Sequence, residues 1–121
     1  MKSVTINDKE FNFVFNANTA ELYAQLFGDD LIEMTMGIKQ DNSFLLKRNR
    51  LQKLAYIANM QASHSIKELS NKLTMMGYLE WAEQFDAGTF VVGTEAMEAI
   101  LAGWTESFAT TATPKNLTAQ Q

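Results

Sequence analysis

The chain contains no cysteine, and this absence excludes disulfides, thiolate zinc sites and cysteine nucleophiles. It has one proline and six glycines scattered singly, so it offers no glycine-rich loop that would cradle a phosphate. No apolar run approaches the roughly 18–20 residues that cross a bilayer, and the N-terminus lacks the apolar stretch of a secretory signal. We therefore expect a cytoplasmic protein that does not associate with a membrane.

Positive charge is also scarce, since 10 basic residues stand against 14 acidic residues and the net charge is −4. Proteins that bind nucleic acids usually carry a net basic surface that neutralises phosphates, so we do not expect nucleic acid as a partner. The 46% of hydrophobic residues and the 20% of charged residues are ordinary for a globular protein. A length of 121 residues fits one domain with a substantial core.

Side chains suited to catalysis are few. The single histidine, His64, lies between two serines; it could act as a general base, but a solvated loop residue is the simpler interpretation. Glu80, Glu83 and Asp86 lie three apart and could bind a cation, but without a glycine-punctuated loop they indicate a solvated acidic helix face. We therefore predict no catalytic residue, no metal site and no cofactor.

The N-terminal segment predicts an antiparallel β-hairpin over residues 2–15. Aromatic side chains occupy one face of the second strand, and they are Phe11, Phe13 and Phe15. Val4 and Ile6 supply the matching apolar positions on the first strand, and the turn lies at Asn7–Glu10. A two-stranded hairpin is marginal in water on its own. We therefore expect the aromatic face to pack on the first helix, with burial against another chain as the alternative, and a strand edge to stay open to partners.

Helix signals follow the hairpin. Apolar side chains at helical spacing predict four helices, over about residues 19–27, 43–61, 66–85 and 95–108. Asn18, with Glu21, is the expected cap of the first helix, and Gly28 is its expected end. Ser65 and Glu68 form the expected capping box of the third helix. The third helix is expected to end or kink at Gly77 and to direct three later side chains inward: Leu79, Ala82 and Phe85.

The remaining segments complete the predicted fold. Residues 29–42 are predicted to be irregular or a short strand, with a short helix from Asp30 as the alternative, and Thr94 is expected to cap the last helix. Residues 110–121 have no apolar periodicity and are predicted to form a flexible tail. The fold class is therefore α+β, mainly α, with an N-terminal antiparallel β-hairpin followed by a bundle of four to five helices in one domain, residues 1–109.

Several groups of side chains indicate binding rather than chemistry. Methionine is abundant, with seven in the chain, and its flexible side chain suits adaptable binding surfaces as well as core packing. A basic cluster, formed by Lys47, Arg48, Arg50 and Lys53, opens the second helix. Cations oppose the helix dipole there, so the cluster either docks an acidic partner or forms a solvated helix face. Trp81 and Trp104 fit a packed core better than a ligand-stacking site. The candidate partner-binding residues are Phe11, Phe13, Phe15, Met34, Met36, Lys47, Arg48, Arg50, Lys53, Met75 and Met76.

Short motifs in the first half of the chain match a known family pattern. Val4–Phe15 reads VTINDKEFNFVF, and it is followed by Thr19–Tyr23 (TAELY), Leu26–Asp29 (LFGD) and Leu51–Ala58 (LQKLAYIA). These segments resemble the tail assembly chaperones of long-tailed phages and prophages of Gram-positive bacteria. Members of that family typically begin with an Ile-Asn-Gly-Lys-like hairpin turn, an aromatic strand and a short helix ending in Phe-Gly. Asp8 stands here where their glycine is common.

The resemblance implies a non-enzymatic helper of viral morphogenesis in a siphophage. Such chaperones bind the tape measure protein, keep its long helices soluble and help to recruit tail tube subunits. They work in the host cytoplasm and leave before the virion is mature, and in many relatives a translational frameshift also gives a longer product. A homo-oligomer is an open alternative to a monomer. Two other functions stay open: a structural tail or connector component of the virion, and a small regulator that binds nucleic acid through the basic cluster.

Overall fold

The structure, a computed structural model, describes residues 1–37, 49–91 and 93–112, and it describes only the backbone of residues 34, 36, 37 and 108–112. In this part of the chain two strands precede six helices. The strands are β1 (Lys2–Ile6) and β2 (Lys9–Phe13). The helices are α1 (Ala17–Phe27), α2 (Leu31–Gly37), α3 (Arg50–Ser63), α4 (Ile66–Lys72), α5 (Met75–Ala82) and α6 (Glu95–Ala112). The predicted class, α+β and mainly α, is confirmed, with six helices in place of four to five.

The two strands form the predicted antiparallel hairpin, in a register that places Val4 opposite Phe11. Asn7 and Asp8 occupy the two turn positions with φ of 52° and 66°. These left-handed conformations match the twist of the flanking strands, and Asn and Asp adopt them more readily than most residues. A tight turn therefore joins the strands without a glycine.

The hairpin packs mainly on two helices, with β2 against α3 and β1 against α6. The Val14 N–H donates to the Ala58 carbonyl over 3.0 Å, which fixes the end of the second strand to α3. The Nζ atom of Lys2 lies 3.0 Å from a carboxylate oxygen of Glu106, which joins β1 to α6. The expectation that the aromatic face packs on the first helix is therefore wrong, because the buried apolar stripe of α3 provides a common surface for both the hairpin and α1.

Helix α1 begins before the predicted start at Thr19, because Asn16 rather than Asn18 caps it. The Asn16 side chain accepts a hydrogen bond from the Asn18 N–H at 2.9 Å, and the Asn16 N–H donates to the Thr19 hydroxyl at 3.0 Å. This reciprocal box replaces the predicted pair of Asn18 and Glu21. Gly28 ends the helix as predicted, with φ of 83°, a left-handed conformation that glycine adopts without strain.

Residues 31–37 are helical, so the prediction of irregular structure or a short strand within residues 29–42 is wrong there and the alternative helix from Asp30 is confirmed. A carboxylate oxygen of Asp30 accepts a hydrogen bond from the Glu33 N–H at 2.9 Å, and Leu31 is fully buried. The capped first turn and the burial of Leu31 outweigh the alternating apolar pattern that indicated a strand.

The predicted helix over residues 66–85 is two helices, α4 and α5, separated by Leu73 and Thr74. Thr74 caps α5, because its hydroxyl accepts a hydrogen bond from the Gly77 N–H at 2.9 Å. Gly77 therefore lies in the first turn of α5 and does not end or kink a helix. The helix break lies at Thr74, three residues before the break predicted at Gly77, because Thr74 caps a new helix.

The other helix boundaries follow the sequence signals closely. Ser65 and Glu68 form the predicted capping box at the start of α4. The hydroxyl of Thr94 accepts a hydrogen bond from the Met97 N–H at 3.1 Å, as expected for the start of α6. Helix α6 continues to Ala112, past its predicted end and into the predicted tail. Three predicted segments lie outside the described residues: 38–42 of the irregular segment, 43–48 of the second helix and 113–121 of the tail.

The core is built around α3 and a cluster of aromatic rings. Four α3 side chains are fully buried: Leu54, Ala55, Ile57 and Ala58. Neighbouring rings pack with tilted, edge-on or stacked geometry, and they belong to Tyr56, Tyr78, Trp81, Phe85 and Phe90. Trp81 and Trp104 are both buried, so the interpretation of the tryptophans as core residues is confirmed. Within the described ranges, no helix combines the length and the hydropathy that crossing a membrane requires.

Candidate partner-binding surface

Three large apolar side chains lie exposed together on α5, and we refer to Met75, Met76 and Leu79 as the α5 face. They are 49%, 64% and 52% exposed, respectively. Their spacing places them on one side of an eight-residue helix. Single exposed apolar residues are ordinary on protein surfaces, whereas a contiguous group indicates a binding site. The α5 face is therefore the strongest candidate for partner binding on the described surface.

The opposite side of α5 is fixed to α3. Tyr78 and Trp81 are buried, and their ring centroids lie 5.5 Å and 5.4 Å from that of Tyr56 on α3. The indole N–H of Trp81 donates to the side-chain oxygen of Asn59 at 2.9 Å, and the Gln52 amide donates to the Tyr78 hydroxyl at 3.0 Å. These contacts hold α5 in one orientation, so the α5 face is presented by a preformed helix.

The C-terminal end of the α5 face is acidic. Glu80 follows Met76 by four residues and Glu83 follows Leu79 by four residues, so each carboxylate lies one helical turn beyond an exposed apolar side chain. Both glutamates are exposed, and no cation in the described ranges pairs with either of them. The helix itself carries no basic residue. The surface thus combines an apolar patch with unneutralised negative charge.

The sequence predicts that Leu79 points inward with Ala82 and Phe85, but Leu79 is exposed. The break at Leu73 and Thr74 shifts the helical phase, so that Tyr78 and Trp81 face the core and Leu79 faces solvent. A signal for this shift is present in the sequence, because Thr74 is a good N-cap residue and stands just before an apolar run.

A groove lies between α1 and α4, close in sequence to the start of α5. Its volume is about 180 Å³, and it is lined by Leu22, Gln25, Leu26, Leu69, Ser70 and Leu73. Pockets for drug-sized ligands usually measure roughly 300–1,000 Å³. This groove is therefore too small for a drug-sized ligand, and its lining combines leucines with the polar side chains of Gln25 and Ser70.

A cleft of about 380 Å³ opens between α1 and α2. The carboxylates that line it are Glu21, Asp29, Asp30 and Glu33. Two of these already have roles, since Asp29 accepts a hydrogen bond from Arg50 at 3.2 Å and Asp30 caps α2. Among the described residues, no group of three or more histidines or acidic side chains is arranged to hold a metal ion. Asp29 and Asp30 in this lining therefore serve local structure.

The three phenylalanines that were predicted to bind a partner do not form an exposed surface. Phe11 and Phe13 are buried, and the ring centroid of Phe11 lies 5.1 Å from that of Phe85. Phe15 is half-buried and packs closely on Gly103, where an added Cβ would lie 2.6 Å from the ring atom Cδ2. These aromatic side chains therefore hold the hairpin on the helices.

The other candidates are distributed over several places. Met75 and Met76 belong to the α5 face. Two members of the basic cluster are engaged within the chain: Arg50 pairs with Asp29, and the Nζ atom of Lys53 lies 5.2 Å from the ring centroid of Phe27. The remaining candidates lie outside the side chains that the structure describes: Met34, Met36, Lys47 and Arg48.

His64 lies at the C-terminal end of α3 and is half-buried. Its Nδ1 atom is 3.1 Å from the Ser63 hydroxyl and 3.3 Å from the Met60 carbonyl oxygen. These neighbours are groups of the last helical turn. The imidazole therefore takes part in closing α3, and it is less solvated than the sequence indicated.

No protein-family model, curated protein or solved structure matches the chain significantly. The geometry of the described residues and the motifs of the sequence therefore provide the grounds for a functional proposal.

Proposed function

We propose that this chain is a non-enzymatic tail assembly chaperone of a long-tailed phage or prophage, which binds the tape measure protein in the host cytoplasm and helps to recruit tail tube subunits. The observation that carries this proposal is the α5 face, an exposed apolar patch on a helix that is fixed to the core. The motifs at Val4–Phe15 and Leu26–Asp29, which resemble those of the chaperone family, indicate the kind of partner.

The α5 face suits an amphipathic helix of a partner protein. A long helical protein exposes apolar side chains at spacings of three and four residues, and packing on the α5 face removes part of that stripe from water. Each Å² of apolar surface buried in this way contributes about 25 cal/mol. The net charge of −4 also favours solubility while an apolar client is held.

The regulator that binds nucleic acid is the less favoured alternative. Its proposed surface includes Arg50 and Lys53, and both are engaged within the chain by Asp29 and Phe27. A binder of phosphates needs several free cations on one face, and its affinity depends strongly on salt. Direct titration with DNA and RNA at low salt tests this alternative, and we expect no binding.

Co-expression tests the proposed function. The tape measure protein encoded with this chain is produced alone, with the wild-type chain, and with the variant Met76→Gln/Leu79→Gln. We expect the wild-type chain to raise the soluble yield of the tape measure protein several-fold and to co-purify with it, and we expect the variant to lose most of this effect. Equal solubility with and without the wild-type chain would contradict the proposal.

A structural tail or connector component is the competing proposal, and the composition of the virion separates the two. Mass spectrometry of purified particles should detect tail tube and tape measure peptides but no peptide of this chain. Stoichiometric recovery of this chain from particles would instead assign it to the virion.

A further inference from the structure

We propose that the α5 face recognises a single amphipathic helix whose lysine or arginine side chains lie beside Glu80 and Glu83. This inference rests on the proposed function for the biological source of the helix. It adds the chemistry of the segment that binds. Its basis is the combination of an exposed apolar patch with two carboxylates that form no ion pair within the described ranges, all on one preformed helix and its C-terminal cap.

The size of the α5 face favours one helix over a second copy of this chain. A stable protein dimer usually buries roughly 800 Å² on each partner. Three side chains on an eight-residue helix supply only a fraction of that area. Met75, Met76 and Leu79 span little more than one turn of α5, an extent that the apolar stripe of a single partner helix can cover.

The charge around the α5 face selects among possible helices. Glu80 and Glu83 are exposed and form no ion pair with a cation of the described ranges, so a cation of the partner helix adds an attraction beside each carboxylate. Lys72, the last residue of α4, precedes Met75 by three residues at the start of the α5 face, whereas Glu80 and Glu83 follow Leu79 at its other end. A partner with basic flanks is therefore attracted, whereas one with acidic flanks meets like charge.

The rigidity of α5 lowers the entropic cost of binding. The Thr74 hydroxyl caps the first turn, and the Trp81 indole is hydrogen-bonded to Asn59, so the α5 face does not have to be ordered when a partner arrives. Specificity then depends on the partner, which must present its apolar stripe and its cations on one helical surface.

Two synthetic helical peptides test the inference on the full chain. Both carry the same leucine stripe, and they differ only in flanking lysines or flanking glutamates. Fluorescence anisotropy at low salt should show that the lysine peptide binds about tenfold more tightly than the glutamate peptide. This difference corresponds to about two weak, exposed ion pairs formed by the lysine peptide and to the like-charge repulsions that the glutamate peptide meets. The variant Glu80→Gln/Glu83→Gln should bring the two affinities within about twofold of each other.

Matched variants separate a specific surface from general stickiness. Met76→Gln/Leu79→Gln should weaken both peptides at least tenfold, because the apolar contacts are lost while glutamine keeps a good helix propensity. Ile32→Gln is the control, because Ile32 is 46% exposed on α2 and lines the cleft between α1 and α2, to which no residue of α5 contributes. Circular dichroism with thermal unfolding establishes that each variant folds.

Several outcomes would overturn the inference: equal affinity of the two peptides for the wild-type chain, unchanged binding by Met76→Gln/Leu79→Gln, or the same loss in Ile32→Gln. Concentration-dependent dimerisation that Met76→Gln/Leu79→Gln abolishes would assign the α5 face to a second copy of this chain.

The proposed function can fail separately from this inference, and Met76→Gln/Leu79→Gln is the double variant that distinguishes them. If the lysine peptide binds but the tape measure protein stays insoluble, the function is wrong and the inference stands; if the double variant still solubilises that protein, the inference is wrong and the function stands.

Discussion

One side chain, Asn59, connects three elements of the structure. Its amide donates to the Asn12 carbonyl of β2 at 2.8 Å, and its side-chain oxygen accepts the Trp81 indole N–H of α5 at 2.9 Å. Asn59 itself lies on α3. The position of the hairpin and the orientation of the α5 face therefore depend on the same residue.

We expect Asn59→Ala to lower the free energy of unfolding by about 2–3 kcal/mol, because it removes two hydrogen bonds and leaves the buried Trp81 N–H without a partner. Urea denaturation measures the change. Ser3→Ala is the matched control, because it removes an exposed hydrogen bond of 2.7 Å to Asn12, and we expect a loss within about 0.5 kcal/mol. Similar losses in the two variants would show that Asn59 does not have this connecting role.

The close packing of α6 on the hairpin depends on the absence of a side chain at Gly103. A Cβ at this buried position would meet the ring of Phe15, with 2.6 Å to Cδ2 and 3.1 Å to Cζ. An added Cβ therefore has to push the half-buried ring out of its contact with α6, toward the open cavity of about 190 Å³ that both residues line. The glycine is therefore explained by close packing rather than by backbone conformation.

We expect Gly103→Ala to destabilise the protein by about 1–2 kcal/mol, because the steric conflict exceeds the roughly 1 kcal/mol that alanine gains in helix propensity. Chemical denaturation measures this change. Gly88→Ala should cost little, because open space surrounds that position. In a Phe15→Ala background Gly103→Ala should become neutral or stabilising, and a loss that persists there would exclude the contact with Phe15 as its cause.

Two reciprocal hydrogen bonds close the first turn of α4. The Ser65 N–H donates to a Glu68 carboxylate oxygen at 2.7 Å, and the Ser65 hydroxyl accepts from the Glu68 N–H at 3.3 Å. The backbone hydrogen bond from Ser65, followed by the bond from its side chain, lowers the pKa of Glu68. Ionised Glu68 therefore stabilises the helix start above the ordinary carboxyl pKa, and this stabilisation is lost as the pH falls through the lowered value.

We expect Ser65→Ala to reduce stability by about 1 kcal/mol through loss of the serine cap. The pKa of Glu68 should rise part of the way to its ordinary value, because the backbone donor is retained. Carboxyl NMR titration measures the pKa, and thermal unfolding measures the stability. A pKa of Glu68 that does not change in the variant would show that the serine hydroxyl does not act on this carboxylate.

These elements also show what the sequence determines by itself. The alternation at Phe11 and Phe13 and the glycine at Gly28 predict the hairpin and the end of α1, because each signal is local. The α4–α5 break was missed because a threonine cap competes with a continuous apolar pattern, and the phase of a helical stripe depends on where the helix begins. Residue type alone indicates Met75 and Met76, and both are exposed, whereas the exposure of Leu79 follows only from the correct helical phase of α5. Partner binding by all three stays a prediction.

The aromatic core contains three tyrosines that are almost entirely removed from solvent: Tyr23, Tyr56 and Tyr78. Burial disfavours the tyrosinate form and raises the pKa of all three hydroxyl groups above the ordinary value. The hydroxyl of Tyr23 has no hydrogen-bond partner within the described part of the chain. Folding therefore keeps these groups neutral at a pH where the unfolded chain loses their protons.

This linkage predicts alkaline instability with a definite sign. The tyrosines should leave stability unchanged between neutral pH and about pH 9, and stability should fall above about pH 10, because the unfolded state then releases tyrosine protons that the folded state retains, at up to about 1.4 kcal/mol per group and pH unit. Urea midpoints measured across this range test the prediction. Tyr23→Phe should keep or raise stability at neutral pH, because it removes an unpaired hydroxyl, and should reduce the alkaline slope. An unchanged slope in Tyr23→Phe would mean that other groups cause the instability, since lysine deprotonation affects both proteins alike.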